Sequence, residues 1–468
     1  MGIFVHWTPA SVPAFAPLDS DMGDLLARGD ARAMAWSPYV EWYENSLRFP
    51  ESPAAEFHAA TYPDRDYRSF VTEFEAGLRG WDPDAWAACF AATGARYVVL
   101  VAKHHDGYCL WPSEIVNPNR AGFFSTRDVV GEMADAVRRH KMRFGLYYSG
   151  GLDWTFNAHP IGSFSDLLAA QPGEGYGAYA EAQVRELITR YRPSVLWNDI
   201  SWPTPLSQLA QLLTDYYAAV PDGVVNDRFM PWSPLWRVAS SSVGRRMLDQ
   251  MAARRAAADR GIVPPKPPLF DVRTPEYTTF DSVQRTPWEC VRGIDRSFGY
   301  NRQSTEEHRI SKRDLLWSLA DVTAKGGNLL LNVGPRGVDA TIDDAQLRRL
   351  DWLADYTNEV GPALMATKPW VHPANRRAED VEVRYTARDR DVFAFVRLAM
   401  TPPGGGREGS TASVVFHEVH ATENSAVTMM DGRPLNAQPT VDGLLVDLIA
   451  PLSTERPTVL ILRDVGAA

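Results

Sequence analysis

Through about residue 360, short apolar runs alternate with longer amphipathic stretches. The clearest apolar runs are Gly2–His6, Arg96–Ala102, Arg143–Tyr148, Ser194–Asn198, Gly223–Asn226 and Asn328–Val333. They are near-continuous, as parallel strands covered on both faces must be. Helical periodicity occupies 127–140, 177–191, 205–219 and 343–359. Strand–helix alternation of this kind predicts βα units around a parallel sheet. After Trp370 the period changes. Runs at 381–387, 391–397, 412–419, 444–448 and 458–464 are short and alternating, with turn signals between them such as Pro402–Gly406. This pattern predicts a β-sandwich of about 100 residues. The expected division is a catalytic barrel over 1–366 and a sandwich over 367–468.

Polar residues gather at one place in this pattern. His104, His105, Tyr148, Asp199 and Arg228 each stand at or just beyond the C-terminal end of a predicted strand. In a (β/α)₈ barrel that end carries the active site. An open dinucleotide-binding sheet uses the same end, but no G-x-G-x-x-G follows a strand. The fold class expected is therefore α/β, a (β/α)₈-type barrel followed by a β-sandwich. Residues 229–290 interrupt the barrel with an Arg/Ala-rich helix near 246–260 and a proline-rich stretch, Pro264–Pro268. A loop this long in a compact domain is usually functional.

Composition narrows the function. Lys and Arg total 48 against 58 Asp and Glu, a net charge of −10, so no basic excess points to nucleic acid or an anionic membrane. Fifteen Trp, 17 Tyr and 19 Phe fit a core-rich enzyme, and also a site that stacks flat ligands such as sugar rings. Cys89, Cys109 and Cys290 form no C-x-x-C pair, which argues against a disulfide framework or a thiolate zinc site. The chain shows no signal-peptide pattern and no membrane-length apolar run, so a cytoplasmic location is expected.

Four segments could carry chemistry. Lys103-His104-His105-Asp106-Gly107 follows the strongest strand, where a turn could present both histidines to a polyhydroxylated ligand or staple a buried loop. Asp199 closes the strand Ser194–Asp199 beside Trp197 and is either a rigidly held nucleophile or a helix N-cap. Glu276 and Glu289 lie on the late loop beside Pro275, Tyr277 and Trp288, apolar neighbours that raise a carboxyl pKa; otherwise they are surface carboxylates. Gly326-Gly327-Asn328 precedes a strand, so it is no phosphate loop and reads as structural.

The order of the motifs is more telling than any one of them. GIFVHW, EWY (Glu41-Trp42-Tyr43), AKHHDGY, GLYYS, LWND, VNDR, RTPEY, WE, SFGYNR and GGNLLLNVGP resemble, in sequence, the α-L-fucosidases of glycoside hydrolase family 29 over roughly residues 2–370. The resemblance implies Asp199 as nucleophile. It implies a fucose pocket of His6, Glu41, Trp42, His104, His105, Tyr148, Trp197 and Arg228, with Phe298 against the sugar methyl. The acid/base is placed at Glu276, with Glu289 in reserve. Two departures stand out: Trp197-Asn198-Asp199-Ile200 where members commonly have W-F-D-G, and Thr8 where glycine is common. If Asp199 faces the ligand, Asn198 faces away.

The implied reaction is retaining hydrolysis of terminal α-L-fucosyl linkages in fucosylated oligosaccharides or glycoconjugates, without metal or organic cofactor. The implied partner is a fucosylated glycan, with neither nucleic acid nor membrane, and homo-oligomerisation stays open. Three alternatives remain: α-L-galactosidase-like activity in the same pocket, a metal-dependent sugar isomerase using His104, His105, Asp199 and Glu276, or a non-catalytic sugar-binding protein.

Overall fold

The computed structural model describes residues 1–157, 159–170, 175–234, 241–259, 261–375, 381–399, 413–449 and 452–467. The Pro402–Gly406 turn signal lies outside them. The chain forms two compact units. One comprises 1–278, 289–309 and 330–347; the other comprises 279–288, 310–329 and 348–468.

The first unit is built on a parallel seven-stranded sheet. Its strands are β1 (Gly2–Val5), β2 (Tyr97–Lys103), β3 (Arg143–Ser149), β4 (Val195–Asp199), β5 (Val224–Val225), β6 (Glu289–Gly293) and β7 (Asn328–Val333), in the order β5-β4-β3-β2-β1-β7-β6. Six of these match the apolar runs read from the sequence. Their interiors are almost wholly buried, from Val98–Ala102 in β2 to Phe144–Tyr148 in β3, which is why the sequence had no polar alternation to offer.

The gap between the edge strands β5 and β6 is filled by an extended segment, Asp271–Tyr277. The backbone N–H groups of Asp271 and Val272 donate to Val225 O, and Asn226 bridges Val272 in parallel. On the other side Glu289 N–H donates to Arg273 O, Val291 N–H to Pro275 O and Tyr277 N–H to Val291 O. The segment therefore stands where an eighth strand would stand, and the sheet closes into a (β/α)₈-type barrel. The expectation of a late loop carrying both Glu276 and Glu289 is corrected here. Glu276 belongs to the barrel wall and Glu289 opens β6. The wall segment is anchored by Asp227, which accepts from Arg273 Nε at 2.6 Å and from Thr274 N–H at 3.0 Å. A fully buried carboxylate needs such partners.

The K-H-H-D-G turn after β2 is held from beneath by a completely buried ion pair, Lys103 Nζ to Asp153 Oδ2 at 2.7 Å. Gly107 has φ +79, and a Cβ there would lie 2.5 Å from Asp153 Oδ1, so the turn admits only glycine.

The second unit contains two antiparallel sheets. Six strands run β13-β12-β16-β10-β9-β8 and three run β11-β15-β14. Their ranges are β8 (Lys368–Ala374), β9 (Val381–Arg388), β10 (Asp391–Leu398), β11 (Ser413–Phe416), β12 (Val419–Met429), β13 (Pro434–Leu435), β14 (Ala437–Thr440), β15 (Gly443–Asp447) and β16 (Thr458–Ala467). Alternate residues of both sheets, among them Val383, Tyr385, Ala394, Phe416, Val446 and Leu460, form one core. That is the sandwich expected from the alternating runs. Among the described residues, no helix is long and apolar enough to cross a membrane.

Candidate active site

The C-terminal ends of the barrel strands surround a cavity of about 250 Å³. Strand register decides which side chains enter it. Tyr147 pairs with Trp197 and Ser149 with Asp199, so these four share the inward face, while Tyr148 and Asn198 point the other way. His6 follows β1, His104 and His105 follow β2, Arg228 follows β5, and Glu276 comes from the wall segment. Glu41, Trp42 and Phe298 complete the lining.

One guanidinium joins the two carboxylates. Arg228 Nη1 donates to Asp199 Oδ1 at 3.0 Å and Nη2 to Glu276 Oε2 at 2.7 Å. Asp199 also accepts from Tyr147 Oη at 2.8 Å and from the Ile200 backbone N–H at 2.8 Å. Burial alone would raise its carboxyl pKa, but the charge of Arg228 and the hydrogen bonds from Tyr147 and the Ile200 N–H leave it below the usual value. Asp199 is held as an oriented carboxylate. The second oxygen of Glu276 accepts from Tyr39 Oη at 3.0 Å. Asn198, facing outward, fixes the backbone behind Arg228 by donating to Arg228 O at 2.8 Å.

The three histidines are neutral, and their neighbours set the tautomers of two. Ser149 Oγ donates to Leu152 O at 2.7 Å, so it can only accept from His105 Nδ1, also 2.7 Å away. The Nε2 lone pair of His105 is then left toward the cavity, 3.9 Å from Asp199 Oδ2. Asn332 donates through its amide nitrogen to Phe298 O, which turns its carbonyl oxygen to His6 Nδ1 at 2.5 Å. His6 thus also presents a free Nε2. Burial lowers His6 to about 3 and His105 to about 4, and pushes His104 well below the ordinary value. Rings pack behind these groups: His104 on Tyr147 at 5.2 Å, Tyr147 on Trp197 at 5.5 Å and His6 on Phe298 at 4.9 Å, all stacked.

Some cavity groups are unsatisfied. Both oxygens of Glu41 and Nδ1 of His104 are buried without a well-formed hydrogen bond among the described residues. Buried polar atoms without partners are costly, so they mark where a ligand's hydroxyls belong. The cavity joins two carboxylates, neutral imidazoles and aromatic faces, a set suited to a pyranose undergoing acid/base and nucleophilic chemistry.

Comparison with known proteins agrees. The family model described as Alpha-L-fucosidase matches residues 1–362. The chain belongs to the α-L-fucosidase family. Its relatives include the α-L-fucosidase of Branchiostoma floridae, 30% identical over 84% of this chain and 76% of that protein, and tissue α-L-fucosidase of Bos taurus, 28% identical over 84% and 72%. Among solved structures, a Thermotoga maritima α-L-fucosynthase complex is 34% identical with a TM-score of 0.79, covering 98% of this chain and 94% of that one. The chain is a glycoside hydrolase with the barrel and β-sandwich of that family, and its class is retaining.

Of the residues named from the sequence, His6, Glu41, Trp42, His104, His105, Trp197, Asp199, Arg228, Glu276 and Phe298 line this fucosidase cavity. Two do not. Tyr148 is turned outward by strand alternation; its hydroxyl donates to Gln183 Oε1 at 2.9 Å and its ring faces Lys103 Nζ at 4.5 Å. Tyr147 takes its place. Glu289 is bound between Tyr97 Oη at 2.6 Å and Trp197 Nε1 at 3.0 Å, away from the cavity lining, so it cannot serve as the reserve acid. Tyr39 and Asn332 were missed. Asn332 lies within the G-G-N-L-L-L-N-V run read as structural, and no sequence signal pairs it with His6.

His104, His105 and Asp199 bring ligand atoms within 4.8 Å of one another, as a metal site would. The donor set fits poorly, because Arg228 already places a fixed positive charge 3.0 Å from Asp199.

Glu41 makes a stability prediction. Burial pushes its carboxyl up to about 8 from 4.5, against the pull of the Glu41 and Gly299 backbone N–H groups. Between those values the folded chain keeps a proton that the unfolded chain has released, so stability falls as pH rises. Glu41→Gln is expected to gain stability over wild type with rising pH, by up to about 1.4 kcal/mol per pH unit. Denaturant unfolding at pH 5, 6.5 and 8 checks this; a gain independent of pH contradicts it.

Proposed function

We propose that Asp199 is the nucleophile and Glu276 the acid/base of a fucosidase acting on terminal α-L-fucosyl units. The observation that carries this reading is the Arg228 guanidinium shared by the two carboxylates at 3.0 and 2.7 Å. A single guanidinium spans only a short gap, in keeping with the roughly 5–5.5 Å between carboxyl groups in retaining enzymes. Asp199 attacks the anomeric carbon while the Glu276 carboxylic acid protonates the departing oxygen. Glu276, then ionised, removes a proton from water, which displaces Asp199 from the fucosyl carbon and leaves the α-anomer. While the fucosyl ester exists, Asp199 carries no charge and Arg228 is left to hold the Glu276 carboxylate, which suits the base step.

The free Nε2 atoms of His6 and His105 accept hydrogen bonds from sugar hydroxyls, and protonated Glu41 offers both a donor and an acceptor. Phe298, with Phe4 and Trp197 beside it, receives the C6 methyl group. An L-galactoside adds one hydroxyl there and is rejected by roughly a hundredfold. This machinery is assigned to residues 1–366, with 367–468 as a separate sandwich.

The test is the initial rate on an aryl α-L-fucoside in EDTA-containing buffer, with the first-formed anomer read by ¹H NMR. α-L-Fucose released first, at an EDTA-insensitive rate, is the expected result. β-L-Fucose released first, or loss of the rate in EDTA, overturns the mechanism.

A further inference from the structure

The cavity lining is polar around Asp199 and Glu276 and apolar over much of the rest, which includes Met22, Met34, Phe164, Leu167, Met230 and Ile262. These come from the helix Met22–Ala27 and the turn after it, the helix Phe164–Ala169 and the 229–290 excursion, and most belong to one apolar cluster with Trp42 and Leu26. None of the six side chains offers an N–H or O–H donor or an oxygen acceptor.

Ile200 adds to this wall at a conformational cost. It follows Asp199 with φ +67, a left-handed conformation that β-branched residues rarely adopt. Its side chain lines the cavity and packs against the same cluster. Glycine would hold that turn without strain, but would leave the wall open.

The bond being cleaved lies between Asp199 and Glu276, and the apolar wall adjoins both, through Ile200 next to Asp199 and through Ile262, whose backbone pairs with that of Glu276. A leaving sugar would bury hydroxyls against this wall, whose apolar side chains among the described residues offer no partners for them. From this, and resting on the fucosidase reading above, we infer that the enzyme selects α-L-fucosides whose leaving group is apolar, an alkyl or aryl aglycone, over fucosyl-oligosaccharides.

The experiment compares kcat/KM for methyl α-L-fucoside, octyl α-L-fucoside below its micellar concentration, and α-L-fucosyl-(1→2)-galactose. Methanol and octanol are chemically similar leaving groups, so their ratio reads the apolar wall alone. Each methylene that enters is worth about fourfold, and an octyl-to-methyl ratio of at least about thirtyfold is expected. The disaccharide is expected to be slower than the octyl compound although its leaving group is the more acidic. In Ile200→Gly and in Phe164→Gln the ratio should fall several-fold. Because both substrates are measured on one preparation, partial misfolding cancels. A wild-type ratio within about threefold of one, or a disaccharide faster than the octyl fucoside, overturns the inference and leaves the fucosidase intact. Failure to cleave any of the three, or an aryl α-L-fucoside, overturns both.

Discussion

Asp199→Ala is expected to lower kcat/KM on an aryl α-L-fucoside by roughly 10⁴-fold or more, which is about 5.4 kcal/mol of transition-state stabilisation. The size follows from what the side chain does at its position. Arg228, Tyr147 and the Ile200 N–H hold Asp199 ionised and aimed from the inward face of β4, so no reorganisation precedes attack. Removing it deletes the bond-forming atom and leaves the Arg228 guanidinium without its Asp199 partner beside an electron-poor anomeric carbon. A good leaving group does not rescue this loss, because the missing step is bond formation to carbon. Azide, small enough for the vacated space, should restore part of the rate and trap β-L-fucosyl azide, since it enters from the face Asp199 occupied. Wild-type-like turnover by the Ala variant would remove Asp199 from the mechanism while leaving the family membership untouched.

How far the sequence foretold this arrangement depends on which physical signal each element carries. Six barrel strands were readable because burial on both faces writes a continuous apolar run. β6, Glu289–Gly293, was not: E-C-V-R-G has only two apolar residues between charged ones and is too short for a pattern. The wall segment Asp271–Tyr277 was read as loop because D-V-R-T-P-E-Y holds a single aliphatic residue among polar ones and a proline interrupts it. The choice between Tyr147 and Tyr148 turned on register. Both residues of the pair are large and buried, and the interior of β3, Phe144–Tyr148, holds no charged residue to set its phase. Only the pairing of Tyr147 with Trp197 does so. Phase was readable on β4, where Asp199 itself marks the inward face and sends Asn198 outward. The histidine tautomers depend on Asn332 and Ser149, which reach them across strands and leave no trace in local sequence.

Glu276→Gln is expected to separate substrates by leaving group. An acid catalyst contributes about 10²–10⁴-fold where the departing oxygen needs a proton, and much less where it leaves readily as an anion. Loss on an alkyl α-L-fucoside should therefore reach that range, while a dinitrophenyl fucoside should still form the fucosyl-enzyme at close to the wild-type rate. Hydrolysis of that ester then becomes limiting, because glutamine cannot take a proton from water, and a pre-steady-state burst of phenol should appear. The geometry makes a second demand. In the unliganded site Glu276 is paired with Arg228 at 2.7 Å, yet the first step requires the acid. Arg228 must therefore turn from Glu276 toward the substrate's oxygens and Asp199, whereas Tyr39, donating from the other side, keeps the carboxyl in place. Arg228→Lys should then lower kcat/KM on both fucosides, since an ammonium cannot span both carboxylates. Azide again gives the decisive readout. With Glu276→Gln it should intercept the Asp199 ester from the opposite face to that ester and yield α-L-fucosyl azide, the anomer opposite to that from Asp199→Ala. The same anomer from both variants would mean that the two carboxylates do not divide the reaction between nucleophile and acid/base.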